Sequence, residues 1–345
     1  MRCLSIMCIL VAAGCTSKDQ SSPSTPSAAQ DKAQAAPQAK PILTVYSGRS
    51  ALLVEPLLKK FAEKRGVELK LRFDKSTEKL ANRLAMEGDQ SPADVFFAQA
   101  VGYLSLLGEK GLMQTLPKKL TEKVPAAYRS ASNYWVGTSG RLRVMVYSPE
   151  RVKNPPKTLA ELADPRFKGR VGWAPGNASL HAHVAALQKH WGADKTSAWL
   201  KAMQDNQPVV YPKNSPQVRA VSSGEIDIGW VNHYYLHKIR AQDTSLKAAN
   251  ASFSPGDAGN LVMLAGIGIP KAAKNHQIAE ELIDFILSDE GQNYFAQKAY
   301  EYPAKLGIKL HPEVAPLDNN LLQLPQSAQT DIAGSLALLR ALRIQ

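Results

Sequence analysis

The chain has 345 residues, 44% hydrophobic and 21% charged, with 42 Lys and Arg against 30 Asp and Glu and a formal net charge of +12. That balance excludes a disordered or fibrous chain and suits one large two-lobed unit or two ordinary domains. The basic excess does not read as a nucleic-acid surface, because bases are interspersed with acids, as in Glu63-Lys64-Arg65 and Glu109-Lys110, without one dense run; it favours an anionic ligand, an anionic membrane surface or solubility.

Residues 1–15 carry one charge at Arg2, an apolar run from Leu4 to Ala13, and Gly14 before Cys15. This reads as a secretory signal, too short to span a bilayer permanently. All three cysteines (Cys3, Cys8, Cys15) fall within it, so the mature body has no disulfide or thiol chemistry. Leu10 to Cys15 resembles the lipobox of bacterial lipoproteins, which predicts acylation at Cys15; the alternative is ordinary cleavage to a free periplasmic protein. Residues 16–40, rich in Ser, Pro, Ala, Gln and Lys, read as a disordered tether.

From residue 41 the pattern alternates short β-branched runs with helical periodicity, the signature of an α/β fold with mostly parallel strands. Strands are expected at 42–46, 67–73, 93–97 and 142–147, with helices at 52–64, 77–86 and 103–108. The second half predicts strands at 171–174, 209–211, 226–230 and 261–269, and helices at 180–190, 195–204, 216–222, 232–240, 277–287, 290–299 and 332–342. So many elements imply more than one lobe.

Ile42 to Ser50, Ser91 to Gln99, Ser139 to Tyr147, Lys213 to Ser215, Val231 to Tyr235 and Glu301 to Pro303 resemble, in order and at compatible spacing, the ferric-ion-binding proteins among the family 1 extracellular solute-binding proteins. The resemblance runs from about residue 41 to 305. It implies an α/β, two-lobed type II periplasmic-binding-protein fold with hinge strands and a ligand cleft between lobes. One lobe is expected to hold 41–138 and 262–312, the other 139–261 and 313–345, with 93–97 and 261–269 as the crossing strands.

The resemblance also implies a function: an ABC importer's substrate-binding component, a monomer on the outer side of the membrane, that closes on Fe(III) and delivers it to a permease and its ATPase. Tyr234 and Tyr235 then stand as phenolate ligands, since Fe(III) prefers charged oxygen donors. A phosphate- or carbonate-type anion is expected on Asn177, Ser179, Asn214 and Asn232; capping of helices and turns is the ordinary alternative for Asn177 and Ser179. The family's histidine and glutamate ligands align with Ser50 and Gln99, so exogenous anion is expected to complete the coordination. Arg141 and Arg143, two apart on a strand, share a face, and are expected near the phenolates or at a solvated surface. His233, beside Tyr234, is the best-placed substitute ligand, with His237, His181 and His183 as lesser candidates; the usual alternative for each is a surface or hydrogen-bonded core histidine.

No glycine-rich phosphate loop, HExxH, GxSxG elbow or cysteine nucleophile is present, so binding without turnover is expected. Two rival functions stay open: a binding protein for an oxyanion or small organic anion without metal, and a hydrolase or transferase built on His181 or His233.

Overall fold

The computed structural model describes residues 40–74, 76–317, 321–322 and 324–344. The expected leader, Cys15 and, except for Lys40, the tether lie outside the described residues. The chain opens with β1 (Ile42–Ser47), α1 (Ala51–Arg65), β2 (Glu68–Phe73), α2 (Thr77–Glu87), β3 (Val95–Ala98), α3 (Val101–Glu109), α4 (Lys118–Thr121) and β4 (Val136–Tyr147). It continues with β5 (Val171–Trp173), α5 (Ala178–Trp191), α6 (Ala193–Asp205), β6 (Val209–Val210), α7 (Asn214–Ser223), β7 (Ile228–Asn232), α8 (Tyr234–Arg240) and β8 (Ala249–Ala251). The last elements are β9 (Val262–Gly268), α9 (His276–Ile286), α10 (Asp289–Gln297), β10 (Tyr302–Pro303) and α11 (Ile332–Ala341).

Local chemistry marks several helix ends. The side chains of Ser76, Asn177, Ser288 and Asp331 each accept a backbone N–H of the helix they open. α1 stops where Gly66 takes a left-handed φ of 64° and its N–H bonds back to Ala62. The expected helix 232–240 begins at Tyr234, because Asn232 is still paired in β7.

The strands run in the order β2-β1-β3-β9-β4-β7-β5-β6, with β8 and β10 also on β4. β1 pairs in parallel with β2 and β3, and β5 with β6 and β7. β4 is the pivot of this topology. Residues Val136 to Leu142 pair antiparallel with β9, and Arg143 to Tyr147 pair antiparallel with β7. One 12-residue strand therefore belongs to two sheets. This corrects one expected crossing, since β3 lies inside the first sheet between β1 and β9; the other expected crossing, 261–269, begins at the junction, where Arg143 N donates to Leu261 O (3.1 Å). A short, wholly apolar strand reads the same whether it crosses or not.

Alternation along the strands builds a core on each face of each sheet. Val95 and Phe97 pack with α1 and α9, while Phe96 and Ala98 pack with α2 and α3. In the second sheet Met145, Ile228 and Trp230 face α5 and α6, and Val144, Val146 and Val231 face α7 and α8. α11 is anchored in both halves: Ile332 packs with α3, Leu339 and Ile344 with the core around Trp230. The contact at α3 needs a glycine, since a Cβ on Gly102 would lie 2.5 Å from Ile332 Cγ1 and 2.9 Å from Gln329 O.

Candidate metal-binding cleft

β7 delivers its last residue, Asn232, to the carboxyl edge of the second sheet, and α8 begins two residues later with Tyr234 and Tyr235. Their rings lie 4.4 Å apart at 35°. Tyr234 is fully buried; Tyr235 is half-buried and lines a cavity of about 360 Å³ with Arg49, Ser50, Asp74, Gln99, Asn177 and Lys213. A larger groove of about 760 Å³ at α1, α4 and α9 is lined by ions that pair with each other, including Arg65 with Glu281 and Lys119 with Glu280.

The loop before α5 meets the tyrosines through a buried polar network. Asn177 Oδ1 accepts from Ser179 N (2.9 Å) and from Gln99 Nε2 (3.4 Å). Ser179 Oγ accepts from Gln99 Nε2 (3.1 Å), Arg141 Nε (3.1 Å) and Asn232 Nδ2 (3.2 Å). Asn232 Nδ2 also reaches Tyr234 Oη (3.4 Å), and Asn232 Oδ1 accepts from Arg143 Nη1 (3.3 Å). Arg143 lies over the Trp230 ring at 4.4 Å and donates to its carbonyl. The structure thus brings Asn177, Ser179, Asn232, Gln99, Arg141, Arg143 and Tyr234 into one network. Asn214 is buried at the start of α7 between the cavity-lining Lys213 and Ser215. Ser50 is exposed at the cavity edge and makes no capping bond to α1. Both β4 arginines are buried, at 0% and 1% exposure, which closes the solvated alternative.

Sequence reasoning passed over a buried ion pair here. Arg49 Nη2 donates to both Glu301 oxygens (2.8 and 2.7 Å), and Ser139 Oγ donates to Glu301 Oε2 (2.6 Å). Both residues of the pair are 1% exposed. Glu301 is 252 positions from Arg49, so only the fold reveals the pairing, although each lies in a segment that carries the family resemblance.

Electrostatics favour negative charge in this cleft. Burial lowers Arg141 to about 10 and Arg143 to about 9, which leaves both charged at neutral pH. Burial also opposes the charge on Arg49, but Glu301 and the nearby tyrosines outweigh it. The Tyr234 phenol is pushed well above its usual value by burial, then by Tyr235 and Glu301, against the pull of Arg49 and Arg141. A phenol so shifted keeps its proton at neutral pH.

His233 takes the hydrogen-bonded core alternative and not the ligand one. Its Nδ1 accepts from Leu142 N (3.1 Å), its Nε2 donates to Tyr300 O (2.7 Å), and burial lowers its pKa to about 4. With both nitrogens engaged it has no lone pair for a metal. His181 is likewise held, accepting from Tyr103 Oη (2.6 Å) and donating to Pro175 O (2.8 Å). His237 pairs with Glu313 at 3.3 Å. Among the described residues no group of three or more His, Cys, Asp or Glu could hold a metal.

The family profile of the bacterial extracellular solute-binding proteins matches residues 90–323. The chain belongs to this family. As an extracellular solute-binding protein it is 32% identical over 280 residues to the Fe(3+)-binding periplasmic protein of Serratia marcescens, covering 80% of this chain and 82% of that one. Among solved structures, iron-bound HitA from Pseudomonas aeruginosa superposes with a TM-score of 0.84 at 28% identity, over 88% of this chain and 99% of that one. A Trichodesmium protein (IdiA, FutA) in complex with iron and citrate ligands gives 0.72 at 26%, over 88% and 100%. The two-lobed type II periplasmic-binding-protein fold expected from the sequence is the fold of this solute-binding protein.

Proposed function

We propose that this protein captures ferric iron in the cleft at the start of α8, with Tyr234 and Tyr235 as phenolate ligands and a bound anion completing the coordination. The adjacent tyrosine pair, its rings 4.4 Å apart and set beside three buried arginines, carries this reading. Two adjacent phenols are weak ligands while protonated, but a trivalent cation stabilises their anions, and the arginines stabilise phenolates and anion alike. The anion sits against Ser179, Asn232, Arg141 and Asn177, at the capped N-terminus of α5. Cleft closure sequesters the cargo, which passes to a permease driven by an ATPase. Periplasmic relatives support action outside the cytoplasmic membrane, with the body anchored through an acylated Cys15. Binding proceeds without turnover: His181 and His233 have no free nitrogen for base catalysis.

Titration of the iron-free protein with ferric citrate should produce a visible phenolate-to-iron absorption band. Tyr234→Phe and Tyr235→Phe should each weaken iron binding by more than about 100-fold, since even the outer partners of metal ligands are worth about 10–100-fold. Absence of both colour and retained iron in the unmodified protein would sink the assignment. Because each phenol must lose a proton, affinity should fall as pH is lowered, more steeply than for a site of carboxylates alone.

One observation favours a second reading, a small organic anion or oxyanion bound without metal. The unpartnered buried polar atoms of the cleft residues Arg49, Arg141, Arg143 and Asn214 are all donors. Calorimetry with phosphate, phosphonates and carboxylates in the presence of a metal chelator separates the two: saturable heat there, with no colour from any iron source, selects the second.

A further inference from the structure

We infer that Asp74 is a third protein ligand to the ferric ion, a carboxylate supplied by the first sheet to a cation held by the tyrosines of the second. The inference rests on the ferric reading above and adds a ligand for which the family resemblance gave no sign.

Position is the first argument. β2, β1 and β3 lie side by side in parallel, with Phe73, Ser47 and Phe97 in register. The chain leaving each strand therefore emerges at one carboxyl edge, where α/β sheets present their ligand-binding groups. Asp74 follows β2 directly, the loop to Ser50 follows β1, and Gln99 follows β3. Ser50 and Gln99 are the positions where the resemblance implies a histidine and a glutamate ligand. Asp74 stands on the strand beside β1, one spacing of about 4.8 Å away at the backbone, and its N–H is pinned to Ser47 O (3.2 Å). Ser50, Asp74, Gln99 and Tyr235 all line the cavity of about 360 Å³.

Availability is the second. Among the described residues lining that cavity Asp74 is the one acid. Its Oδ1 accepts from Ser76 N (3.0 Å), which orients the side chain at the start of α2, while Oδ2 accepts from no described residue. An ionised carboxylate with one oxygen uncommitted keeps lone pairs for a cation. Glu301, by contrast, is taken up by Arg49 and Ser139.

Charge and connection give the third. Fe(III) takes charged oxygen donors. Two phenolates leave it one positive charge, which the neutral groups of Ser50 and Gln99 do not cancel and one carboxylate does. The source of that carboxylate matters as much as its charge. Tyr234 and Tyr235 come from α8, on the second sheet, and without Asp74 the first sheet offers the ion no anionic ligand from this cavity. With Asp74 the ion is bonded to both halves, so capture and closure become one event.

The test uses the capping bond. Asp74→Asn keeps an oxygen for Ser76 N and loses only the charge, so the metal-free variant should melt at the parent's temperature. Iron is supplied as ferric ammonium sulfate in bicarbonate, so that no polycarboxylate stands in for the missing side chain. Competition with EDTA should show iron affinity at least about tenfold below the parent's. At saturating iron the phenolate-to-iron band of Asp74→Asn should move to longer wavelength, because exchanging an anionic donor for a neutral one leaves a more electron-poor metal. Asp74→Glu should recover part of both the affinity and the band position. Parent-like affinity in Asp74→Asn, or a parent-like band at saturating iron, overturns the inference and leaves the ferric reading standing. No band from the unmodified protein overturns both.

Discussion

Arg49 and Glu301 show how much of this cleft depends on a contact that spans the chain. Each is a charge that solvation would normally keep at the surface, and each is buried because the other is there. Arg49→Met should therefore cost about 3–5 kcal/mol of stability in urea unfolding, because it strands a buried carboxylate, whereas Arg49→Met with Glu301→Gln should recover most of that loss. A single variant as stable as the parent would show that water reaches Glu301. The meeting of Asn177, Ser179, Asn232 and Tyr234 in one network was expected from the resemblance, which runs through Val231 to Tyr235 and implies an anion loop at Asn177 and Ser179. Arg49 and Glu301 had no role in that reading. The choice between ligand and core histidine at His233 stayed open for a related cause. Its two hydrogen bonds go to the backbone of Leu142 and Tyr300, 91 and 67 positions away, and backbone partners leave no mark in the sequence.

Among the elements, the long ones announced themselves. α1, α5, α6 and α9 have 11 to 15 residues each, enough for helical periodicity to show. α4, β8 and β10 have two to four residues, too few for any period, and they exist because neighbours complete them: β8 and β10 each form as partners of β4. β4 itself was foreseen only from Leu142, since Val136 to Arg141 alternates small and polar residues that look like a turn until β9 and β10 flank them. α11 brings a prediction at this scale. Gly102→Ala should push Ile332 and the Gln329 carbonyl away from α3 and lower stability by about 1–3 kcal/mol, the usual effect of overpacking. A melting temperature equal to the parent's would mean the segment gives way freely.

At the scale of the molecule, buried neutral histidines set the acid limit. Burial lowers His181 to about 4, His183 to about 3 and His233 to about 4, from an ordinary value of 6.5. Below pH 6.5 the unfolded chain takes up protons that the folded one refuses, so stability falls with pH by about 1.4 kcal/mol per unit for each histidine once the unfolded side chains are charged. Urea unfolding of the metal-free protein from pH 7 to 5, above the range where most carboxylates titrate, should show this decline; a flat profile would contradict it. The two-sheet strand β4 has a consequence for handling the cargo. Arg141 is registered against Met263 in one sheet, and Arg143 against Asn232 in the other. A torsion of the sheets against each other is taken up at the peptide units between those registers, so it must swing one guanidinium relative to its neighbour. In the proposed site such a torsion would change the spacing of the two guanidiniums offered to a bound anion.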